Sequence, residues 1–276
     1  MANYIIMRRM RRFNLIPNAI TAFGLCCGLF VIYKVFLNEG EGDLFLFIQS
    51  AAILLFVAGL ADLADGAAAR LFKSESEFGG QFDSLSDAVT FGVAPPLLVL
   101  RSLPAIESSL MQILLTISAM IYTLCGVLRL VRYNVSSKEA RLKETLQRKR
   151  SYFRGLPIPT GAALIVSTAL LMISPYFDLT VQIRATVMIL LMIFAGYFMV
   201  SRWPFPGVKT LHMRVPSFYL VFALGVFAVL MLYGLLDHFA LAFFVMTWGY
   251  FISSFGFALF RRKKVEVVQE ESVEEK

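Results

Sequence analysis

The chain is poor in the groups that carry much of soluble enzyme chemistry. It has two histidines, His212 and His238, and only 16% of its 276 residues are charged. No Ser-His-Asp set can be assembled, which removes that route to acyl transfer, and both histidines read as loop or interface residues. The three cysteines, Cys26, Cys27 and Cys125, lie inside apolar runs without metal-site spacing. They read as small apolar residues. Leu25 stands before Cys26 where a lipoprotein signal would need a small residue. No small-residue cleavage site follows a short apolar run, so the first apolar segment is expected to stay in the mature protein. No internal repeat is present.

What is abundant is hydrocarbon. Hydrophobic residues make up 58% of the chain and the mean hydropathy is +0.71. A soluble domain of this length would be far more polar. The apolar segments are long enough for helices and too long for barrel strands. The expected fold is an all-α integral membrane protein with about eight transmembrane helices. The spans are placed at 17–37, 44–61, 79–100, 110–131, 155–174, 181–201, 216–236 and 239–260. Pro95 and Pro96 fall inside the third and predict a kink. Residues 1–16, with Arg8, Arg9, Arg11 and Arg12, read as a basic interfacial segment. Residues 261–276 read as a charged, disordered tail.

The net charge of +7 is not spread evenly. Of 26 Lys and Arg residues, only Lys34, Arg101 and Arg184 fall toward one side of such a bundle. The positive-inside rule then places both termini at the cytoplasmic face of the cell membrane. That orientation accounts for the basic excess, so no nucleic-acid partner is expected. The longest polar connection, 135–154, carries seven of the basic residues and reads as a surface facing lipid headgroups.

One stretch stands out against the apolar background. Asp62, Asp65, Gly66, Ala69 and Arg70 close one apolar segment, and Gly79, Asp83 and Asp87 open the next. Ionised carboxylates beside hydrocarbon are costly and point to a site with a charge partner. No Lys accompanies all four, so the cheapest partner is one or two hard divalent cations. Asp62 and Asp65 lie about 60° apart on a helix, with Gly66, Ala69 and Arg70 on the same side. Asp83 and Asp87 are one turn apart, and Gly79 is one turn earlier. Two helices meeting here would aim four carboxylates into one pocket. The small Gly66, Ala69 and Gly79 would admit something bulky to the backbone, and Arg70 suits a phosphate. A pocket of this kind at the membrane boundary suits phosphoryl-group transfer on a lipid. In the first span, Asn18 and Thr21 could cap the helix or reach a ligand. A cation transporter with intramembrane aspartates is the rival from another class, but its site would be expected near mid-membrane.

These residues resemble the CDP-alcohol phosphotransferases. The family signature D-x2-D-G-x2-A-R-x8-G-x3-D-x3-D is met at all eight fixed positions, Asp62, Asp65, Gly66, Ala69, Arg70, Gly79, Asp83 and Asp87. The resemblance implies transfer of a phosphatidyl-type group from a CDP-linked lipid to an alcohol, with release of CMP. It implies that Asp62, Asp65 and Asp83 hold metal, and that Asp87 completes the site and acts as base. It assigns Gly66, Arg70 and Ser76 to the CDP portion, with Asp62, Gly79, Asn18 and Thr21 alongside. The cofactor would be Mg²⁺ or Mn²⁺, two ions in all, and the protein would be a homodimer. A six-span core would occupy 17–215, with 216–260 supplying two further helices.

The acceptor is suggested by flanking segments. Residues 83–95 resemble the version found in phosphatidylserine synthases, as do 129–134, 153–159 and 205–209, although Gly207-Val208 departs from that pattern. The implied substrates are CDP-diacylglycerol and L-serine. Serine brings a carboxylate, which needs a cation besides the metals. Arg129 and Arg132, three apart on one face, are the expected partners, followed by Asn134 and Lys209. A sister enzyme taking glycerol 3-phosphate or inositol is the alternative.

Overall fold

The computed structural model describes residues 2–37, 42–72, 76–103, 106, 108–143, 155–175, 177, 179–201, 203 and 238–274, with side chains described from residue 15 but not for 137–143 or 257–274. Among the described residues every element is helical. The chain runs α1 (Ala2–Leu37), α2 (Leu44–Leu71), α3 (Glu77–Asp87), a π turn (Ala88–Val93), α4 (Ala94–Ser102), α5 (Ser109–Lys143), α6 (Ile158–Ile173), α7 (Val181–Val200) and α8 (Phe239–Glu274). Five segments among the described residues are long and apolar enough to cross a membrane: Leu15–Leu37, Leu44–Leu71, Ser109–Ser136, Val181–Val200 and Phe239–Gly256. The expected span at 216–236 lies outside the described residues.

Several boundaries differ from expectation. The first helix begins at Ala2, so the helix runs unbroken through the basic segment and Pro17 sits inside it. Thr21 Oγ1 comes within 3.0 Å of the Pro17 carbonyl. The basic end of the fourth span continues as helix to Lys143. The fifth span is shortened to Ile158–Ile173, 16 residues, and most of it is buried in the bundle. The tail expected to be disordered continues α8 to Glu274, in a stretch rich in the helix formers Lys, Glu and Gln.

The third expected span is three pieces. α3 is capped by Ser76, whose Oγ accepts from Gly79 N at 3.0 Å. The π turn follows at once, with Ala94 N–H donating to Val89 O, five residues back. Proline explains the widening. Pro95 and Pro96 have no N–H to return to the carbonyls of Phe91 and Gly92, and their rings crowd the preceding turn.

Packing relies on small residues. Apolar burial drives helix association only weakly in lipid, so close contact between backbones carries it. α1 meets α2 and the π turn through Gly24 and Gly28. A Cβ at Gly28 would come within 2.8 Å of Thr90 Cα, and one at Gly24 within 3.6 Å of Ala61 Cβ. α2 answers with buried Ala51, Ala52, Ala58, Ala61, Ala67 and Ala68. α5 lies along α7, meeting it where Gly196 faces Cys125, and meets α6 where Gly126 faces Ile158. α8 covers α6. There Trp248 Nε1 donates to Thr168 Oγ1 at 3.1 Å, and Ser167 and Thr247 share a 2.8 Å hydroxyl contact. Phe198 of α7 closes this side against Phe251 and Phe255 of α8. The outward faces carry Phe23, Phe30, Leu124, Leu128 and Ile252, an apolar surface fit for lipid.

Candidate active site

Three helices meet here. The last third of α2 brings Asp62 and Asp65, the C-terminal half of α3 brings Asp83 and Asp87, and the middle of α1 lies against both. The contacts are specific. Buried Thr21 Oγ1 donates to Asp65 Oδ2 at 2.6 Å, and Ser86 Oγ reaches Thr21 O at 3.4 Å. A Cβ on Gly79 would stand 3.1 Å from Asn18 Oδ1 and 3.0 Å from Ser76 Oγ. Gly79 therefore lets α1 and the cap of α3 approach, while the space above Gly66 is open. Thr21, Asp62, Asp65, Asp83, Asp87 and Thr90 line one narrow cleft.

Within it, Asp62, Asp83 and Asp87 are half-buried and form a triad whose ligand atoms all lie within 4.8 Å of one another. A hard divalent cation with oxygen ligands at 2.0–2.6 Å places opposite ligands about 4–5 Å apart. The triad therefore fits one such ion without rebuilding. Asp65 stands outside the triad in the same cleft, held by Thr21. Three carboxylates this close repel strongly, and a cation is the natural balance. The four aspartates, grouped in sequence by spacing alone, thus divide into a three-member cluster and a neighbour with its own hydrogen bond.

Among the described residues a fixed positive charge near the triad is Arg129 of α5. It is 8% exposed, its Nε has no hydrogen-bond partner among the described residues, and it lies in electrostatic range of Asp87 and Asp62. Arg132 is placed differently. Its Nη1 donates to Val200 O at 2.7 Å and its Nη2 to Ser201 O at 3.2 Å, binding the last turn of α7. Gly155, with φ of +91°, brings its backbone beside that guanidinium, where a Cβ would stand 3.3 Å from Nη2. Asn134 is engaged with α3: its Nδ2 donates to Ser84 Oγ at 3.0 Å. Arg70 is exposed at the end of α2, and Lys209 lies outside the described residues, as does His212.

A family comparison covers this whole arrangement. The model of the CDP-alcohol phosphatidyltransferases matches residues 14–205. The chain belongs to the CDP-alcohol phosphatidyltransferase family. It is a transferase of phospholipid synthesis; the family uses a divalent metal, and the Asp62, Asp83 and Asp87 cluster has the spacing to hold one. α8 lies beyond the matched residues.

Individual relatives agree. The chain is 34% identical over 158 residues to the CDP-diacylglycerol–serine O-phosphatidyltransferase of Bacillus subtilis, covering 55% of this chain and 75% of that protein. The enzyme of the same name from Helicobacter pylori is 30% identical over 209 residues, 75% of this chain and 78% of the relative. That from Methanocaldococcus jannaschii is 37% identical over 134 residues, 49% of this chain and 57% of the relative.

Some residues of the site were not singled out in the sequence. Thr90 and Ser86 line the cleft, and the Thr90 hydroxyl is buried with no hydrogen-bond partner among the described residues. Their signal was present but weak, since Asp83, Asp87 and Thr90 follow helical spacing. Gly24 and Gly28 were also missed, although glycines four apart in an apolar helix mark a close helix contact.

Proposed function

We propose that this protein transfers the phosphatidyl group of CDP-diacylglycerol to the hydroxyl of L-serine, releasing CMP and phosphatidylserine. The observation that carries the reading is Arg129, a buried guanidinium with an unpartnered Nε beside the carboxylate triad. An acceptor that brings its own carboxylate supplies the missing partner, in a charge-assisted and potentially bidentate bond. Glycerol 3-phosphate would require a second phosphate site with further cations, and inositol would bring no anion to Arg129 beyond Asp87 and Asp62. The names of the relatives point to the same acceptor.

Asp62, Asp65, Asp83 and Asp87 would hold two divalent cations, Mg²⁺ or Mn²⁺. Bound there, the metals would supply charge neutralisation on the pyrophosphate oxygens. Asp87 takes the proton of the serine hydroxyl. The serine oxygen then bonds to the lipid-side phosphorus while the bond from that phosphorus to the bridging oxygen breaks, and CMP leaves with the electron pair. Gly66 keeps the approach to α2 open, and Arg70, Ser76, Gly79, Asn18 and Thr21 face the CDP portion. Arg129 orients the acceptor carboxylate; Arg132, Asn134 and Lys209 are assigned lesser parts in that site.

The rest of the reading follows from charge and fold. The chain has about eight transmembrane helices, six in the core, and functions as a homodimer. It lies in the cell membrane with both termini and the cleft at the cytoplasmic side. The deciding experiment is an acceptor panel of serine, glycerol 3-phosphate and inositol with purified protein and labelled CDP-diacylglycerol. Phosphatidylserine formation that requires a divalent ion supports the reading. CMP release with either other alcohol and none with serine refutes it.

A further inference from the structure

The prolines at 95 and 96 create a specific vacancy in hydrogen bonding. The carbonyls of Phe91 and Gly92 would have accepted from residues 95 and 96 in an α-helix, and proline has no N–H to give. Both carbonyls are answered from α5. Tyr122 OH donates to Phe91 O at 3.0 Å, and Thr123 Oγ1 lies 2.9 Å from Gly92 O, sharing its proton with Ala119 O at 3.1 Å. Tyr122 is fully buried. The π turn that these bonds fasten begins one residue after Asp87. Arg129 lies seven residues after Tyr122, which is two helical turns on the same face. One turn further, Asn134 bonds Ser84 between Asp83 and Asp87.

We propose that Tyr122 and Thr123 are positioning residues that fix how far α5 slides along the π turn that follows α3, and so hold Arg129 opposite Asp87. Resting as it does on the acceptor role of Arg129, the proposal adds the device that places that side chain. An ordinary helix pair in lipid has no such lock, because apolar contacts tolerate small axial shifts. Two bonds at adjacent residues, to two adjacent carbonyls that their own helix cannot pair, admit one register.

The test is made on the full-length protein with Cys26, Cys27 and Cys125 replaced by alanine. Spin labels at the exposed Phe78 of α3 and Leu110 of α5 report the slide. In Y122F/T123V the label distance is expected to broaden or to shift by about one residue's rise, 1.5 Å. The KM for serine is expected to rise about tenfold or more while that for CDP-diacylglycerol stays within about twofold. Adding Pro95→Ala and Pro96→Ala restores an N–H for each carbonyl, and is expected to recover Tm without recovering the serine KM. If Y122F/T123V does not purify, Tyr122→Phe alone is expected to show the same signs. A native label distance with an unchanged serine KM overturns the proposal. So does recovery of the serine KM together with Tm when the alanines are added, since pairing the carbonyls would then be the whole role. The label distance needs no acceptor, so it judges the lock even if the wild-type protein takes another alcohol, in which case the serine reading alone falls.

Discussion

Thr21→Val is the sharpest perturbation of the cleft, because it removes one oxygen and keeps the shape. In the structure that oxygen sits 2.6 Å from Asp65 Oδ2 and 3.0 Å from Pro17 O, with Thr21 and Asp65 only 7% and 5% exposed. A hydroxyl has one proton, and the shorter contact to the carboxylate claims it. Hydrogen bonds to charged groups contribute about 1.5–3 kcal/mol, and valine leaves the buried Asp65 oxygen without that donor. At about 1.4 kcal/mol per factor of ten, the loss corresponds to roughly 10–100-fold in the affinity of any ion that Asp65 helps to hold. Binding of Mn²⁺ to purified Thr21→Val, followed by the spin resonance of the free ion, measures this directly and needs no turnover. Thr21→Ser, which keeps the hydroxyl, is expected to stay close to wild type. Mn²⁺ binding by Thr21→Val as tight as that of the wild-type protein would refute the idea that Thr21 orients Asp65 for metal.

Asp87→Asn removes the proton acceptor while keeping the side chain's size, and is expected to lower turnover by about 10²–10⁴-fold. Binding of CDP-diacylglycerol, measured separately, is expected to persist; wild-type turnover in this variant would exclude Asp87 as base. Arg132→Ala deprives Val200 O and Ser201 O of their donor, and at this partly exposed position the loss is expected to be about 1–2 kcal/mol, a fall in Tm of several degrees. Its serine KM is expected to rise by no more than about threefold, in keeping with a lesser part in the acceptor site, and a rise of about tenfold or more would show that Arg132 is the main anchor of the acceptor.

Much of the molecule was legible from spacing alone. Hydropathy located the helices, because a backbone in lipid must satisfy its own polar groups. The aspartates could be assigned to one pocket because helical periodicity fixes which residues share a face. Periodicity does not fix how one helix rotates or slides against another, and what the fold adds falls there. Arg129 and Arg132 look equivalent in sequence, three apart at the end of one apolar run. The fold turns the first toward Asp87 and the second onto the last carbonyls of α7. Asn134, read as a candidate ligand, bonds Ser84 of α3. The Pro95-Pro96 pair predicted a kink; the structure adds that the chain passes there through a π turn whose carbonyls take donors from α5.

By itself, then, the order of residues determined a helical membrane protein and the eight signature positions of its chemistry, because both depend on interactions within one helix or on residue type. Only the packed bundle decided that Asp62, Asp83 and Asp87 gather while Asp65 turns to Thr21, and that Arg129 faces Asp87 while Arg132 holds the end of α7. Those outcomes depend on contacts between helices far apart in the chain. They are set by where glycines let backbones touch and by which buried polar groups find partners.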